Sequence, residues 1–230
     1  MSAPDTPRRC DTLRTLAPGL GTAESPYAES VLVPIGALLW IVAAVGYFLA
    51  EAIAAAALPG YSYTTDYISM LGQLDMSPHA NLMNAAFVAQ GVLFPVGAIL
   101  LVCGTRAGKA LAFLAFAMVN GIGNIVVATL HSGVGARMHV VGAALAIVGG
   151  NAAVLAGGAV LLDQAWSRTH RMVSVVLGTA GLGCLIATAL GWPAVGVWER
   201  GSVYPTFVWQ MFTAVELLRR RARSARSSVR

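Results

Sequence analysis

The stretch that decides the fold is the first long apolar run, VLVPIGALLWIVAAVGYFLAEAIAAAA, at residues 31–57. The run contains a single charged side chain, Glu51. An α-helix rises 1.5 Å per residue, so about 20 mainly apolar residues are enough to cross the hydrocarbon of a bilayer. The run therefore predicts a transmembrane helix, with Glu51 close to its far end.

The rest of the chain repeats this pattern. The 230 residues are 57% hydrophobic and only 11% charged, a composition outside that of ordinary soluble domains. Five more apolar runs follow, at 82–103, 110–131, 138–162, 172–192 and 203–218. Since the connections 104–109, 132–137 and 163–171 are brief, sequence neighbours are expected to run antiparallel and to pack as a bundle. We predict an all-α integral membrane protein with a six-transmembrane-helix bundle at 31–218, a disordered cytoplasmic tail at 1–30 and a basic cytoplasmic tail at 219–230.

The basic residues predict how the bundle is oriented. Of the 15 Lys and Arg residues, 13 lie in the two tails and in the connections on the same side of the membrane. Only Arg137 and Arg200 lie on the opposite side. Because positive residues are retained in the cytoplasm during insertion, both termini are predicted to be cytoplasmic in the plasma membrane. Cations beside membrane spans favour lipid headgroups as partners and give no reason to expect nucleic acid.

Small residues on the fourth and fifth runs predict close helix packing. They are Gly142, Gly149, Gly150, Gly157 and Gly158 on the fourth run, and Gly178, Gly181 and Gly183 on the fifth. Glycine lets helix backbones approach closely in lipid, so we expect these two helices to pack tightly on each other.

A polar stripe runs along the third apolar run. Asn120, Asn124 and His131 are separated by four and seven residues, which places all three on one helix face. Polar groups that face lipid are costly, so the stripe is expected to face the inside of the bundle. There it either ties helices together by hydrogen bonds or lines a wet cavity.

Three connections at the predicted outer end are unusually polar. They are TTDYISMLGQLDMSPHAN at 64–81, LHSGVGARMH at 130–139 and GVWERGSVYP at 196–205. They bring Asp66, Arg137, His139, Glu199 and Arg200 to one end of the bundle. Each group alone has a structural explanation, such as a helix cap or a local Glu199 to Arg200 pair. Together they predict an outward-facing polar pocket.

Four segments resemble the bacterial and archaeal membrane proteins catalogued as domain of unknown function 998. The segments are DYISMLG, NLMNAAFVAQG, RMHVVGA and GVWERGSVYPTFVW. The resemblance implies six spans and no settled activity. It also implies that some positions are recurring polar or aromatic positions of the family: Ser69, Gly72, Asn84, His139, Glu199, Arg200 and Trp209. The family commonly has an acid after its serine, but this chain has Met70, so that role is absent or falls to Asp66 or Asp75.

The leading functional hypothesis is an intramembrane enzyme that acts by acid-base chemistry on a lipid or on an isoprenoid or terpenoid. Burial disfavours the charged form of a carboxyl group, so Glu51, Asp66 or Glu199 could hold a proton at neutral pH, with His139 or His131 as the base. Proton-initiated cyclisation is one such reaction. The candidate catalytic residues are therefore Glu51, Asp66, His139 and Glu199. The candidate substrate-binding residues are Ser69, Asn84, Asn120, Asn124, His131, Arg137, Arg200 and Trp209.

Two alternatives remain open. The first is a non-catalytic transporter, sensor or assembly factor. Transport would require a polar track into the cytoplasmic half, where the sequence shows few candidates: Gln90, Asn151 and Gln210 near midspan. The second is a metal-dependent lipid hydrolase that uses His79, His131, His139 and an Asp as ligands. Since the chain has no HExxH motif or comparable spacing, we predict neither a metal nor a cofactor.

Overall fold

The computed structural model describes residues 26–105, 107–130, 136–161 and 167–227. Within these ranges the chain forms helices and no strand, which confirms the predicted all-α class. The α-helices are α1 (Pro26–Ala57), α2 (Ala80–Thr105), α3 (Leu111–Thr129), α4 (Ala136–Gly157), α5 (Ser167–Ala189) and α6 (Val195–Ser227). A short 3₁₀ helix, Ile68–Gly72, lies in the connection between α1 and α2.

The helices form a closed ring. Each helix packs against the next one along the chain, and α6 closes the ring by packing against α1. In addition, α6 contacts α4 across the ring. Because the connections are short, neighbouring helices alternate in direction, as predicted. We call the end of the bundle that carries the 58–79 and 190–194 connections the cavity end.

Five of the six helices are long and apolar enough to cross a membrane: α1 from Val31 onward, α2, α3, α4, and α5 from Arg168 onward. The chain is therefore a multi-pass membrane protein. Helix α6 falls short of the same apolarity, because it buries polar side chains such as Thr206, Gln210 and Thr213 inside the ring. The sixth span at 203–218 and the direction of the termini remain predictions.

The predicted tails only partly fall within the described residues. Helix α1 begins at Pro26 and α6 continues to Ser227, so both helices extend beyond the predicted span limits at 31 and 218. The other residues of the tail at 1–30 lie outside the described part of the chain.

The interior is divided into two apolar clusters. One contains Trp40, Phe94, Phe113 and Trp209, whose rings touch each other. The other lies at the cavity end and is built around Tyr47, Phe87 and Phe207. The 3₁₀ helix packs into this second cluster through Ile68 and Leu71, both nearly inaccessible to solvent. The connection between α1 and α2 is therefore part of the folded core at this end.

Glycine brings α3 and α4 especially close together. A Cβ atom added at Gly123 would collide with the backbone nitrogen of Ala146, and one added at Gly149 would lie 2.5 Å from the backbone nitrogen of Asn120. No side chain fits at either position, so the two backbones are in direct contact. This contact fixes Asn120 on the inner face of α3.

The glycine prediction for α4 and α5 is therefore only partly right. Gly178 and Gly181 of α5 do contact α4, at Leu155 and Asn151. However, Gly142 and Gly149 face α3, while Gly150 and Gly157 face α6. Sequence spacing shows which residues share a helix face, but it does not show which neighbour that face meets. Gly183 has no atom near enough to restrict it.

This packing gives a matched pair of substitutions. Gly123→Ala should destabilise the protein by about 1–3 kcal/mol, because the added methyl group must push α4 away from α3. Gly183→Ala is the control, since its added methyl group meets open space and alanine favours the helix. Thermal unfolding in detergent should show a lower Tm for the first variant and an equal or higher Tm for the second. Equal Tm values for both variants would contradict the close α3 to α4 contact.

Candidate functional site

A cavity of about 50 Å³ lies inside the ring at the cavity end. Its walls come from α1, α2, α3, α4 and α6, and residues of the 3₁₀ helix cover it. Among the described residues, eight with polar side chains line it: Ser69, Gln90, Asn120, Asn124, His139, Glu199, Ser202 and Thr206. The remaining lining residues are apolar or aromatic and include Tyr47, Phe87 and Phe207. The cavity thus combines a polar interior with an apolar wall.

The two asparagines on α3 both bind neighbouring backbone and line the cavity. The side-chain nitrogen of Asn120 donates to the carbonyl of Ala146 at 2.7 Å, and that of Asn124 donates to the carbonyl of Asn120 at 3.0 Å. A carbonyl can only accept, so these bonds fix the orientation of both amides.

His139 enters the cavity from the first turns of α4. Its Nδ1 lies 2.9 Å from the carbonyl oxygen of Leu130, at the end of α3. Since that oxygen can only accept, Nδ1 carries a proton, and in the neutral form of the ring Nε2 is then the basic nitrogen. A backbone bond of this kind fixes the tautomer that a general base requires.

Glu199 reaches the cavity from the first turns of α6. Its Oε2 accepts a hydrogen bond from the backbone N–H of Ile68 at 2.5 Å, which links α6 to the start of the 3₁₀ helix. No Lys or Arg in the described part of the chain forms an ion pair with Glu199. Adjacent helical residues point about 100° apart, so Arg200 is directed away from the carboxyl group beside it in sequence.

Arg200 instead pairs with an acid from α1. Its Nε lies 3.0 Å from Oε1 of Glu51, and both side chains are almost completely buried, with 7% and 2% of their surface exposed. The hydroxyl of Tyr204 donates to the same carboxylate at 2.9 Å. Glu51 is thereby held by a guanidinium and a phenol, so it is committed to this pair.

The same guanidinium also holds the connection between α1 and α2. Nη1 lies 3.0 Å from the backbone carbonyl oxygens of Tyr63 and Asp66 in this connection, and 3.0 Å from that of Gly196 in α6 itself. Nη2 donates to the hydroxyl of Tyr61 at 2.5 Å. We call Arg200 with Glu51 and these partners the arginine lock. It fixes the polar connection against α6, directly above the cavity.

Two tyrosines of the connection, Tyr61 and Tyr63, remain protonated. Burial raises the pKa of Tyr61 to about 12, against the opposing effect of Arg200. Burial also raises the pKa of Tyr63, whose ring lies 4.5 Å from the guanidinium carbon of Arg200. As a neutral phenol, Tyr61 accepts from Arg200 and donates to the carbonyl of Tyr67 at 3.1 Å.

The structure brings five of the predicted site residues together at the cavity: Ser69, Asn120, Asn124, His139 and Glu199. Glu51 and Arg200 form the lock beside it. Asp66 contributes to the lock through its carbonyl oxygen, while its carboxylate accepts the N–H of Ser62 at 2.8 Å.

Three predicted substrate-binding residues lie elsewhere. Asn84 donates to the carbonyl of Gly72 at 2.9 Å and ties the end of the 3₁₀ helix to α2. Arg137 is exposed near the start of α4 and does not line the cavity. Trp209 is buried in the apolar cluster of the opposite half. His131 lies outside the described residues.

The described residues bring no three His, Cys, Asp or Glu side chains together as a metal-binding group. His79 and Asp75 are exposed in the connection, whereas His139 is buried. These positions therefore give the metal-dependent hydrolase alternative no support within the described ranges.

Sequence reasoning missed Ser202, Thr206 and Tyr204. The first two share a face of α6 with Glu199 at spacings of three and four residues, and Tyr204 lies four residues after Arg200. Those spacings are the available signal, because such residues are neighbours on a helix surface. Their small or aromatic side chains do not by themselves indicate a site.

The expectation that the other half of the bundle is poor in polar groups is wrong. That half buries His170, Ser174, Thr213 and Glu216. Nε2 of His170 lies 2.9 Å from Oγ1 of Thr213, and the indole nitrogen of Trp209 donates to Oγ of Ser174 at 2.8 Å. These pairs link α5 to α6.

Residues 41–216 match the family described as protein of unknown function (DUF998). The chain belongs to this family. The resemblance inferred from the four sequence segments is thereby confirmed. No curated protein and no solved structure shows significant similarity to the chain. The matched range of this DUF998 protein includes the whole arginine lock and all the described residues that line the cavity.

The lock predicts how the connection responds to substitution. Arg200→Lys keeps the charge but removes the fork of donors that binds three carbonyls, so residues 58–79 should become accessible to protease in detergent. Glu51→Gln should have a similar but smaller effect, because the amide still accepts a hydrogen bond. Arg137→Lys is the matched control on an exposed arginine. Unchanged cleavage of Arg200→Lys relative to this control would contradict the lock.

Proposed function

We propose that this DUF998 protein is a membrane-embedded enzyme that acts by acid-base chemistry on the polar end of an apolar molecule, such as a lipid or isoprenoid. The observation that carries the proposal is the presence of Glu199 and His139 in one small cavity inside the bundle. The two groups come from different helices, and neither belongs to the arginine lock. Membrane-embedded ionisable residues are costly, so such a pair favours function over packing.

Of the acids considered, Glu199 is the best candidate for proton exchange. Glu51 is committed to Arg200, and the carboxylate of Asp66 binds its own turn. Glu199 keeps one oxygen bound to the 3₁₀ helix and lines the cavity. His139, with its proton fixed on Nδ1, presents the other proton-accepting group. Substrate protons would be exchanged between these two side chains.

The cavity volume suits the polar end of a substrate better than the complete folded hydrocarbon chain of an isoprenoid. Ordinary ligand pockets enclose about 300–1,000 Å³. The 50 Å³ here matches a few water molecules or a small functional group. Proton-initiated cyclisation requires a folded isoprenoid chain inside the site, so this volume supports it less well than chemistry at one terminal group.

A transport role is the second candidate, and one observation favours it. Polar residues recur along one face of α6, from Glu199 through Ser202, Thr206 and Gln210 to Thr213 and Glu216, at spacings of three to four residues, and all of them except the half-buried Glu199 are buried. Gln210 also pairs with Gln90 at 3.0 Å, near the middle of the bundle. Substrate-dependent counterflow in vesicles that is lost on Gln210→Leu would favour transport over catalysis.

The enzymatic proposal predicts that His139→Ala and Glu199→Gln abolish function without unfolding the protein. Function is measured as the lipid-extract profile of a host strain that lacks the gene and carries each variant, and Tm is measured in detergent. Both variants should restore less than a tenth of the wild-type change in the profile, because each removes one proton-exchanging group. His79→Ala, on the exposed connection, should restore it fully. If the first two variants express, keep their Tm and also restore the profile fully, the catalytic proposal is wrong.

A further inference from the structure

Two hydroxyl groups that border the cavity form no hydrogen bond with the described part of the protein. One belongs to Tyr47, which is 1% exposed, and the other belongs to Thr206, which is 4% exposed. Neither oxygen is sealed by surrounding atoms, in contrast to Oγ of Ser77. Since both residues lie inside the bundle and line the cavity, the open side of each oxygen faces that space. A buried hydroxyl nearly always has a hydrogen-bond partner, so these two point to a molecule bound in the cavity.

The hydroxyl of Thr206 differs from those of other threonines in the helices. Four of these donate to the carbonyl four residues earlier, at 2.6–2.9 Å: Thr105, Thr129, Thr179 and Thr188. The corresponding carbonyl for Thr206 is that of Ser202, which instead accepts a hydrogen bond from Asn151 at 2.8 Å. The Thr206 hydroxyl is thereby left for the cavity.

Glycine at position 150 leaves room beside this hydroxyl. A Cβ atom added at Gly150 would lie 2.6 Å from Oγ1 of Thr206 and 2.9 Å from Nδ2 of Asn120. These two polar groups therefore approach each other over a backbone that carries no side chain. Nδ2 of Asn120 uses one N–H for the carbonyl of Ala146 and carries a second. This part of the wall thus combines a hydroxyl with an amide N–H.

The ring of Tyr47 is held in place by other rings of the same cluster. Its centroid lies 4.2 Å from that of Phe207 and 5.7 Å from that of Phe87. This packing fixes where the phenol oxygen lies, while the O–H bond remains free to rotate toward a partner. A phenol is more acidic than an aliphatic alcohol, so Tyr47 is well suited to donate a hydrogen bond to an oxygen atom.

From this arrangement we propose that Tyr47 and Thr206 bind an oxygen atom at the polar end of the ligand. The phenol, the threonine hydroxyl and the second N–H of Asn120 can each donate, and an oxygen with two lone pairs accepts such donors. A carbonyl or hydroxyl group also fits a volume of about 50 Å³. The inference rests on the proposed function and narrows its substrate class to an apolar molecule that ends in one of these oxygen groups.

The functional test removes each hydroxyl and keeps the shape of the side chain. Tyr47→Phe and Thr206→Val should each lower the restored lipid-extract profile of the host strain about three-fold or more, because each removes one hydrogen bond to the ligand. Neither substitution removes a hydrogen bond within the described protein, so both variants should keep a Tm equal to or above that of the wild type. Tyr67→Phe and Thr179→Val are the matched controls, since both side chains are exposed and lie outside the cavity. If both cavity variants fold and restore the profile as fully as these controls, the proposal is overturned.

The binding test uses three apolar probes with the full-length protein in a neutral detergent: methyl undecyl ketone, dodecanol and dodecane. The ketone, the alcohol or both should raise the Tm and bind about ten-fold or more tightly than dodecane, which has no oxygen. The probe that binds distinguishes a carbonyl ligand from a hydroxyl ligand. Tyr47→Phe and Thr206→Val should weaken its binding by about three- to ten-fold, the contribution of one hydrogen bond. Equal binding of all three probes, or unchanged binding by both variants, would overturn the proposal, since the two hydroxyls would then bind internal water only.

The outcomes separate this inference from the proposed function. Probe binding that depends on Tyr47, together with full function of His139→Ala and Glu199→Gln, would uphold the ligand class and remove the acid-base role. Loss of function in His139→Ala and Glu199→Gln, with full function of Tyr47→Phe and Thr206→Val, would uphold the acid-base role and remove the ligand class.

Discussion

The ion pair between Glu51 and Arg200 is the interaction on which the rest of the cavity end depends. Both groups lie among apolar helices, where an unpaired charge costs several kcal/mol. Pairing across α1 and α6 closes the ring of helices at this end. The remaining donors of Arg200 then bind carbonyls of the polar connection, which would otherwise have to find partners in solvent. A buried charge is thereby used to fix a loop.

The two glutamates at this end differ in their partners. Glu51 and Glu199 both approach the cavity end, but only Glu51 is neutralised by the arginine. Glu199 is held in place by one backbone N–H of the 3₁₀ helix and retains an oxygen that faces the cavity. With His139 oriented by the carbonyl of Leu130, the site contains two positioned groups whose chemistry allows them to donate and accept protons. The glycine contacts between α3 and α4 keep the asparagine stripe on the inner wall.

Much of this arrangement is predictable from the sequence. The long apolar runs predict the helices, since spans of about 20 apolar residues have few other uses. The spacing of Asn120 and Asn124 places both on the inner face of α3, and five candidate residues do line one cavity. The partner of Arg200 is not predictable in this way. Glu199 is its sequence neighbour, whereas Glu51 is 149 residues away and becomes its partner only through the closure of α6 against α1. Trp209 illustrates the same limit. From sequence alone, an aromatic residue beside polar positions is as consistent with the apolar core as with a binding site.

Double-mutant cycles on the free energy of unfolding in detergent measure directly whether Arg200 is coupled to Glu51 or to Glu199. One cycle combines Glu51→Gln with Arg200→Lys, and the other combines Glu199→Gln with Arg200→Lys. A buried, hydrogen-bonded pair should give a coupling energy of about 1–3 kcal/mol in the first cycle and about 0.5 kcal/mol or less in the second. A larger coupling in the second cycle would mean that Arg200 neutralises Glu199, and it would contradict the account of an unpaired acid in the cavity.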